Sequence, residues 1–271
     1  MKALIFGAEG QLGRELVRLL GTDAGVTHDQ ASITDAGAVE AAIATRRPEV
    51  VFNCAAYNAV DGAESDWREA FAVNSDGPYN VAVACRRSGA EMVHFSTNFV
   101  FDGRGAEPYL ESDEPAPLSI YGQSKLDGER RILEVGTHVL VVRTAGVFGG
   151  PASFPMRILD RARAGETLRV VSDQTVNPTY AKDLAAAAVE LAGEGFAGIV
   201  HAVANGCPSW EVFARTVLFE AGLDATVVPV KTGDYPAQAK RPANGCLGTI
   251  RYRALRPWGE AVRDWLATTT P

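Results

Sequence analysis

Short apolar runs and amphipathic stretches alternate along the first half of the chain. The apolar runs lie at 3–6, 25–27, 50–53, 91–95 and 139–143, and small or polar residues end most of them. Between them, apolar positions recur at helical spacing, as at 36–45 and 70–82. Runs of this length are typical of buried parallel strands, and strands that alternate with helices form right-handed βαβ units. The pattern therefore predicts an α/β fold with a Rossmann-type, doubly wound parallel sheet.

The alternation becomes less regular after Gly149-Gly150-Pro151. We predict a nucleotide-binding Rossmann domain over 1–148 and a smaller α/β lobe, mainly for substrate binding, over 149–271. Segments near 168–202 are expected to return to the first sheet. The predicted helices of this part lie at 154–164, 181–191, 209–221 and 258–266, and the predicted strands at 168–171, 199–202 and 226–230.

A glycine-rich turn separates the first strand from the first helix. Its sequence is Gly7-Ala8-Glu9-Gly10-Gln11-Leu12-Gly13, which is G-x-x-G-x-x-G in strand–turn–helix context. Glycines at these positions allow a tight turn and a close approach of the backbone to a pyrophosphate at the helix N-terminus. The alternative is a glycine-rich turn that binds no ligand. We favour the dinucleotide site.

Three polar residues point to ketone reduction at the same edge of the sheet. Tyr121 and Lys125 are four residues apart, so they share one face of a helix. Thr97 follows the fourth strand, and Ala55-Ala56 follows the third. Ligands of doubly wound sheets bind where the strands end. Thr97 can bind a carbonyl oxygen, Tyr121 can donate a proton, and Lys125 can lower the pKa of Tyr121 while a nicotinamide delivers hydride. Alone, this tyrosine–lysine spacing would describe an ordinary exposed helix.

Composition excludes some classes of protein. The chain has 271 residues, 46% hydrophobic residues and a formal net charge of −7, which argues for a soluble globular protein and against a nucleic-acid binder. No apolar run resembles a signal peptide or a membrane span, so we expect a cytoplasmic protein with no membrane partner. The four cysteines form no C-x-x-C pair, so we expect free, buried thiols in a reducing compartment. They are Cys54, Cys85, Cys207 and Cys246.

Many segments, in order along essentially the whole chain, carry a resemblance to a known family. The chain resembles the dTDP-4-dehydrorhamnose reductases, which are extended short-chain dehydrogenases. The segments that resemble the family include Gly7–Leu16 of the glycine loop, Asn53-Cys54-Ala55-Ala56-Tyr57, Ala72-Val73-Asn74-Ser75-Asp76-Gly77-Pro78, Phe95-Ser96-Thr97, Tyr121-Gly122-Gln123-Ser124-Lys125, Arg143-Thr144 and Arg241-Pro242-Ala243-Asn244.

The resemblance implies a reaction and a set of residues for it. The reaction is an NADPH- or NADH-dependent reduction of the 4-keto group of a nucleotide-linked 4-keto-6-deoxyhexose, with dTDP as the carrier. Arg241 would meet the nucleotide diphosphate. The implied catalytic residues are Thr97, Tyr121 and Lys125. The implied cofactor-binding residues are Gly7, Gly10, Gln11, Leu12, Gly13, Ser32, Ile33, Ala55, Ala56, Tyr57, Tyr121 and Lys125. The implied substrate-binding residues are Asn58, Val60, Asn74, Asn98, Phe99, Gly146 and Arg241.

Departures from the family pattern are concentrated where the sugar should bind. Asn98-Phe99 stands where the family has Asp-Tyr, and Ala145-Gly146 stands where it has Ser-Trp. Asn58 replaces a threonine. An amide adds hydrogen-bond donors, and glycine in place of tryptophan opens space. We therefore predict a working reductase with a remodelled sugar pocket, and a different deoxysugar nucleotide is an alternative substrate to the rhamnose precursor.

Two other functions and some details stay open. A sugar-nucleotide epimerase with tightly bound NAD would share the tyrosine and lysine, and a non-catalytic, nucleotide-binding regulatory subunit would keep the fold. Arg14 favours the 2′-phosphate of NADPH, whereas Asp29 could hold the ribose diol of NADH. Glu15 matches a Mg²⁺-binding position of some relatives at a dimer interface, but one carboxylate does not make a metal site, so we predict none. The resemblance also allows a homodimer.

Overall fold

Parallel strands dominate the architecture of the protein. The structure is a computed structural model that describes residues 1–136 and 138–269. The strands of the described residues are β1 (Ala3–Phe6), β2 (Gly25–Val26), β3 (Val50–Asn53), β4 (Glu91–Thr97), β5 (Val139–Thr144), β6 (Leu168–Val171), β7 (Thr175–Val176), β8 (Gly198–His201), β9 (Ala204–Asn205), β10 (Val227–Val230), β11 (Asn244–Gly245) and β12 (Leu255–Pro257). The helices are α1 (Gln11–Leu20), α2 (Ala36–Arg46), α3 (Trp67–Phe71), α4 (Gly77–Ser88), α5 (Ile120–Glu134), α6 (Phe154–Arg163), α7 (Ala181–Gly193), α8 (Trp210–Glu220) and α9 (Trp258–Thr269).

Six of these strands form one parallel sheet in the order β2-β1-β3-β4-β5-β8. Since β2 and β3 lie on opposite sides of β1, the order of the sheet reverses between β1 and β3. Doubly wound sheets bind their ligands at this kind of switch point, beyond the carboxyl ends of the strands. The predicted Rossmann-type parallel sheet is confirmed.

Both faces of the sheet are buried by helices. Leu4 and Phe6 pack into one core with residues of α2, α4 and α5, whereas Ile5 packs into a second core with residues of α1 and α7. This alternation follows from the two-residue period of a strand. Burial on both faces explains why the strands are continuous apolar runs, and it leaves the strand ends as the accessible edge.

The predicted helix around 70–82 is present, but it is not α-helical throughout. A π-helical segment, Ala72–Asp76, joins α3 to α4. In a regular α-helix the N–H of residue 78 would donate to the carbonyl of residue 74, and Pro78 has no N–H to donate. Gly128 of α5 approaches so closely that a Cβ there would lie 2.1 Å from the Asn74 carbonyl oxygen. The π-helical segment thus packs directly against α5.

The second half of the chain has three small parallel sheets of its own. β6 pairs with β10, β7 with β11, and β9 with β12. Within 168–202, α7 packs against the main sheet and β8 pairs with β5 in it. The strand β6 instead pairs with β10, which the chain reaches much later.

Two of the four cysteines form a disulfide, which corrects the expectation of four free thiols. Cys207 follows β9 and Cys246 follows β11, and their Cα atoms are 5.8 Å apart. The two residues are 39 positions apart in sequence, so only the fold brings them together. Cys54 and Cys85 are free. Only Cys54 and Cys85 therefore match the expectation of free thiols, on which the prediction of a reducing compartment was based.

Within 1–136 and 138–269, no helix combines the length and the apolar character that crossing a bilayer requires.

The contact of Gly128 with the π-helical segment gives a test of the fold. We expect Gly128→Ala to lower the free energy of unfolding by about 1–3 kcal/mol, because its Cβ would overlap backbone that cannot move freely. Gly259→Ala in α9 is the matched control, since a Cβ at Gly259 would meet nothing within 4 Å. Urea denaturation of both variants measures the difference. Equal stability of the two variants would contradict the close packing of α5.

Candidate active site

The glycine turn after β1 lies against the turn after β3. Gly7 has a φ of 74°, and a Cβ on it would lie 2.6 Å from the backbone nitrogen of Ala55. A Cβ on Gly13 would lie 2.1 Å from the Gly7 carbonyl oxygen. Only glycine satisfies both the left-handed φ and the close approach of these backbones. The predicted cofactor residues Gly7, Gly13 and Ala55 therefore meet at the switch point of the sheet.

The N-terminus of α1 is suited to an anion. The residue before the helix is Gly10, whose N–H donates to the Gly7 carbonyl oxygen at 3.1 Å. No side chain caps the helix. The side chain of Gln11 is engaged elsewhere, because its Oε1 accepts from the Gly150 N–H at 3.0 Å. The helix thus presents its positive end with no protein carboxylate or hydroxyl bound to it.

Thr97 and Tyr121 are brought together at the end of β4. The Thr97 hydroxyl oxygen accepts from the Phe99 N–H at 3.2 Å, and the Phe99 ring meets the Tyr121 ring edge-on, with centroids 5.5 Å apart. Tyr121 is the second residue of α5, which the Ser119 side chain caps. Burial raises the pKa of Tyr121 to about 12, although a hydrogen bond with Thr97 works in the other direction. The phenol is therefore a well-protonated group beside a second hydroxyl.

Lys125 lies one turn further along α5, in a fully buried position. Its Nζ donates to the Phe95 carbonyl oxygen at 2.7 Å and lies 3.4 Å from Nε2 of His94. Burial lowers the pKa of Lys125 to about 8, while the charge of Glu129 opposes this shift. We had predicted that Lys125 lowers the pKa of Tyr121. In this structure the pKa of Tyr121 is raised, because burial dominates.

A buried ion pair holds α5 against β5. The Arg143 guanidinium donates to both carboxylate oxygens of Glu129, with Nε–Oε1 and Nη2–Oε2 distances of 3.0 and 2.7 Å. The two side chains are only 2% and 1% exposed. Glu129 lies one turn after Lys125 on α5. The ion pair therefore fixes the position of this helix, which carries both Lys125 and Tyr121, relative to β5. Sequence reasoning did not assign either partner a role.

Asn74 was predicted to bind substrate, but it supports the loop after β3. Its Oδ1 accepts from the Tyr57 N–H at 2.9 Å, and its Nδ2 donates to the Tyr57 carbonyl oxygen at 3.0 Å. The Nδ2 group also lies 3.1 Å from the Ser124 hydroxyl. The side chain is completely buried. Asn74 thus positions Tyr57 and joins it to α5.

Asn98, Phe99 and Gly146 are residues of the predicted sugar site at which the chain departs from the family pattern. Asn98 is buried, and its Nδ2 donates to the Gly245 carbonyl oxygen at 3.0 Å. Gly146 has a φ of 53°, and a Cβ there would lie 2.8 Å from the Asn177 carbonyl oxygen. A tryptophan at this position would require a different backbone. The departures from the family pattern are therefore built into the local backbone as well as the side chains.

Arg241, which the resemblance implies as a contact of the nucleotide diphosphate, is paired with a carboxylate in this structure. Its guanidinium pairs with the Asp61 carboxylate, with an Nη2–Oδ2 distance of 2.7 Å. Asp61 Oδ1 also accepts from the N–H groups of Gln238 and Ala239 at 3.0 and 2.9 Å. The hydrogen bond to Arg241 holds the pKa of Asp61 below its usual value. Asp61 lies in the segment Ala59-Val60-Asp61, but nothing in the sequence identified its partner.

The remaining predicted residues are dispersed around this edge. Ile33 is buried against Gly77, and the Ser32 hydroxyl lies 2.9 Å from that of Thr34. Val60 packs near Tyr121 and Ala56 is half-buried, whereas Asn58 is exposed. Leu12 packs against the core below α1. Arg14 and Asp29 are both exposed.

No cluster of three metal-ligating side chains occurs within the described residues. Glu15, the single carboxylate that matched a metal position, forms an ion pair with Arg18 on the same helix.

Comparison with known proteins assigns the family. Residues 1–270 match the family described as RmlD substrate binding domain. The chain belongs to this family. A dTDP-4-dehydrorhamnose reductase of Mycobacterium tuberculosis is 41% identical, over 98% of this chain and 92% of that protein. The spore coat polysaccharide biosynthesis protein SpsK of Bacillus subtilis is 38% identical, over 98% and 96%. Colinearity over the whole chain confirms the resemblance stated from the sequence.

A solved structure has the same fold over its full length. It is the dTDP-4-dehydrorhamnose reductase of Bacillus anthracis in complex with NADP, with a TM-score of 0.95 and 31% identity. The alignment covers 99% of this chain and 100% of that one.

The buried ion pair gives a test of how the site is held. We expect Glu129→Gln to lower the free energy of unfolding by about 3–5 kcal/mol, because Arg143 would stay buried without its counter-charge. Glu40→Gln breaks a pair with Arg87 whose side chains are 55% and 64% exposed, and it should cost less than about 1 kcal/mol. Thermal or denaturant unfolding compares the two. A small effect of Glu129→Gln would show that the pair is not a structural constraint.

Proposed function

We propose that the protein reduces the 4-keto group of a nucleotide-linked 4-keto-6-deoxyhexose with NADPH or NADH. The observation that carries the proposal is that Thr97 and Tyr121 meet at the same edge of the parallel sheet as the glycine turn, in a chain that matches the reductase family from end to end. A hydroxyl pair next to a dinucleotide-binding turn is the arrangement that carbonyl reduction needs.

The cofactor would bind along the switch point of the sheet. Gly7, Gly10 and Gly13 leave a cradle in which backbone replaces side chains, and a Cβ on Gly10 would already lie 3.3 Å from the Gly7 carbonyl oxygen. The uncapped end of α1 would hold the pyrophosphate. Arg14 is exposed on the first turn of α1, which favours the 2′-phosphate of NADPH over NADH. The bound nicotinamide supplies the hydride.

The protein's own part in the reaction is to bind the carbonyl and to supply a proton. With a pKa of about 12, Tyr121 keeps its proton at neutral pH and can donate it from its phenol oxygen to the oxygen formed from the ketone. The Thr97 hydroxyl would orient the carbonyl oxygen. Lys125 would contact the cofactor ribose and add positive charge near the phenol when it is protonated.

The identity of the sugar is the finer part of the proposal. The predicted sugar site contains Asn98, Phe99 and Gly146, where the family has other residues, and Asn98 is held by the Gly245 carbonyl. Two relatives of nearly equal identity also have different names, a dTDP-4-dehydrorhamnose reductase and a spore coat polysaccharide biosynthesis protein. We propose a dTDP-linked substrate whose sugar differs from the rhamnose precursor. Arg241 would leave Asp61 to meet the diphosphate.

A substrate panel tests the proposed reaction. We expect NADPH oxidation with at least one of a set of dTDP-, GDP- and UDP-linked 4-keto-6-deoxy sugars, and slower oxidation of NADH because a 2′-phosphate would gain the positive charge of Arg14. Absorbance at the reduced nicotinamide band measures both. Turnover without net cofactor oxidation would indicate an epimerase instead. Nucleotide binding with no turnover of any sugar would indicate a non-catalytic subunit.

The proton donor is tested by Tyr121→Phe. We expect kcat to fall by about 100-fold or more, because the carbonyl oxygen would lose its proton source, while NADPH affinity stays the same. Tyr79→Phe is the matched control, since Tyr79 is an exposed tyrosine of α4 that packs against Arg131. Steady-state kinetics and a cofactor titration separate the two effects. Full activity of the Tyr121→Phe variant would exclude the proposed donor.

A further inference from the structure

His94 is a completely buried residue of β4 that connects the glycine-turn edge to Lys125. Its Nδ1 lies 3.2 Å from Nδ2 of Asn53, and its Nε2 lies 3.4 Å from Nζ of Lys125. Its side chain is not exposed at all, and burial together with the charge of Lys125 lowers the pKa of the imidazole well below its usual value. The ring is therefore neutral, and it carries one proton on one of its two nitrogens.

The backbone determines which nitrogen that is. The Ala55 N–H can only donate, and its acceptor at 3.2 Å is Oδ1 of Asn53. The other end of this amide, Nδ2, therefore faces His94 and must donate to it. Since Nδ1 of His94 accepts this hydrogen bond, the single ring proton is on Nε2. A rotated Asn53 amide would place two donors, Nδ2 and the Ala55 N–H, against each other.

This tautomer has a consequence for Lys125. An ammonium group offers only donors, and it would face the donor Nε2–H of His94 across 3.4 Å. A neutral amine can accept from Nε2–H through its lone pair and still donate to the Phe95 carbonyl oxygen at 2.7 Å. We propose that His94, fixed as the Nε2–H tautomer by Asn53, is a positioning residue that opposes protonation of Lys125 in the cofactor-free protein.

The groups around Lys125 give its protonated form little support. Glu129 is the nearest carboxylate on its own helix, but both of its oxygens already accept from Arg143. Cys54, from the turn after β3, is a buried thiol whose pKa burial raises, so it provides no thiolate at neutral pH. Tyr121 is protonated as well. Burial lowers the pKa of Lys125 to about 8, and the Glu129 charge only partly offsets this.

The inference adds a control step to the proposed function, on which its catalytic meaning rests. Lys125 contributes positive charge near Tyr121 only when it is protonated, and His94 opposes that protonation. A change that makes Nε2 an acceptor should raise the pKa of Lys125 and extend the reaction to higher pH. Asn53→Asp is such a change, because a carboxylate accepts from both the Ala55 N–H and His94 Nδ1–H.

The tautomer itself can be measured without any substrate. The chain has four histidines, and ¹⁵N spectra of histidine-labelled protein distinguish Nε2–H from Nδ1–H rings. His201 is an internal reference of the opposite kind, since its Nδ1 lies 2.8 Å from the Gly248 carbonyl oxygen and must donate to it. We expect Nε2–H for His94 and Nδ1–H for His201 in the unaltered protein. An Nδ1–H or doubly protonated His94 at pH 7 would overturn the proposal.

The effect on Lys125 is measured with the Asn53→Asp variant. We expect His94 to change to Nδ1–H and the titration midpoint of the Lys125 ¹³Cε signal, assigned with Lys125→Met, to rise by about one unit or more. Asn205→Asp adds the same charge at an exposed position and should change neither signal. An unchanged Lys125 midpoint despite the tautomer change would overturn the positioning function.

The pH profile then connects this site to turnover. In the reductase assay, the alkaline limb of kcat should move to higher pH in Asn53→Asp and stay in place in Asn205→Asp. A limb that does not move, in a variant whose tautomer has changed, would overturn the catalytic part of the inference. Absence of reductase activity in the unaltered protein would contradict the proposed function and leave the tautomer measurement valid.

Discussion

The ion pair between Glu129 and Arg143 is the constraint on which the active-site geometry depends. It is buried between α5 and β5, so neither charge can be solvated by water if the helix moves away. The helix position in turn fixes Tyr121 at the end of β4 and Lys125 beneath it. Because Arg143 uses both carboxylate oxygens, the pair also leaves Lys125 without a full counter-charge. One interaction thus fixes the position of α5 and limits the negative charge that is available to Lys125.

Asparagine side chains form several hydrogen bonds to backbone groups at this edge of the sheet. Asn74 binds both backbone groups of Tyr57, Asn98 binds the Gly245 carbonyl, and Asn53 binds the Ala55 N–H. Each joins a turn at the strand ends to a neighbouring segment. An amide can donate and accept at once, so it satisfies backbone groups that these turns leave unpaired. Asn74 and Asn98, which the resemblance implies as substrate-binding residues, thus also hold the loops at this edge of the sheet.

Local patterns were sufficient to predict the sheet, the glycine turn and the placement of Tyr121 and Lys125 on one helix. Strand periodicity, φ-permissive glycines and helical spacing are properties of neighbouring residues, so they are visible in the sequence. The partners of Lys125, Asp61 and Cys207 were not visible, because each lies far away in the chain and is brought close only by the fold. The raised pKa of Tyr121 was missed for a related reason, since burial depends on packing. The π-helical segment depends jointly on Pro78 and on the approach of Gly128.

The contact between Asp61 and Arg241 has a consequence for ligand binding. Asp61 holds the loop that contains Gln238, Ala239 and Arg241. It does so through two kinds of partner, the guanidinium of Arg241 and the backbone N–H groups of Gln238 and Ala239. An incoming diphosphate would compete with Asp61 for the guanidinium but not for the N–H groups. The carboxylate is therefore an intramolecular competitor for the arginine and a permanent anchor for the loop. A diphosphate could take the Arg241 guanidinium from Asp61 while the loop stays attached through its N–H groups. The affinity for the anion would then depend on the difference in free energy between the Arg241–diphosphate pair and the Arg241–Asp61 pair.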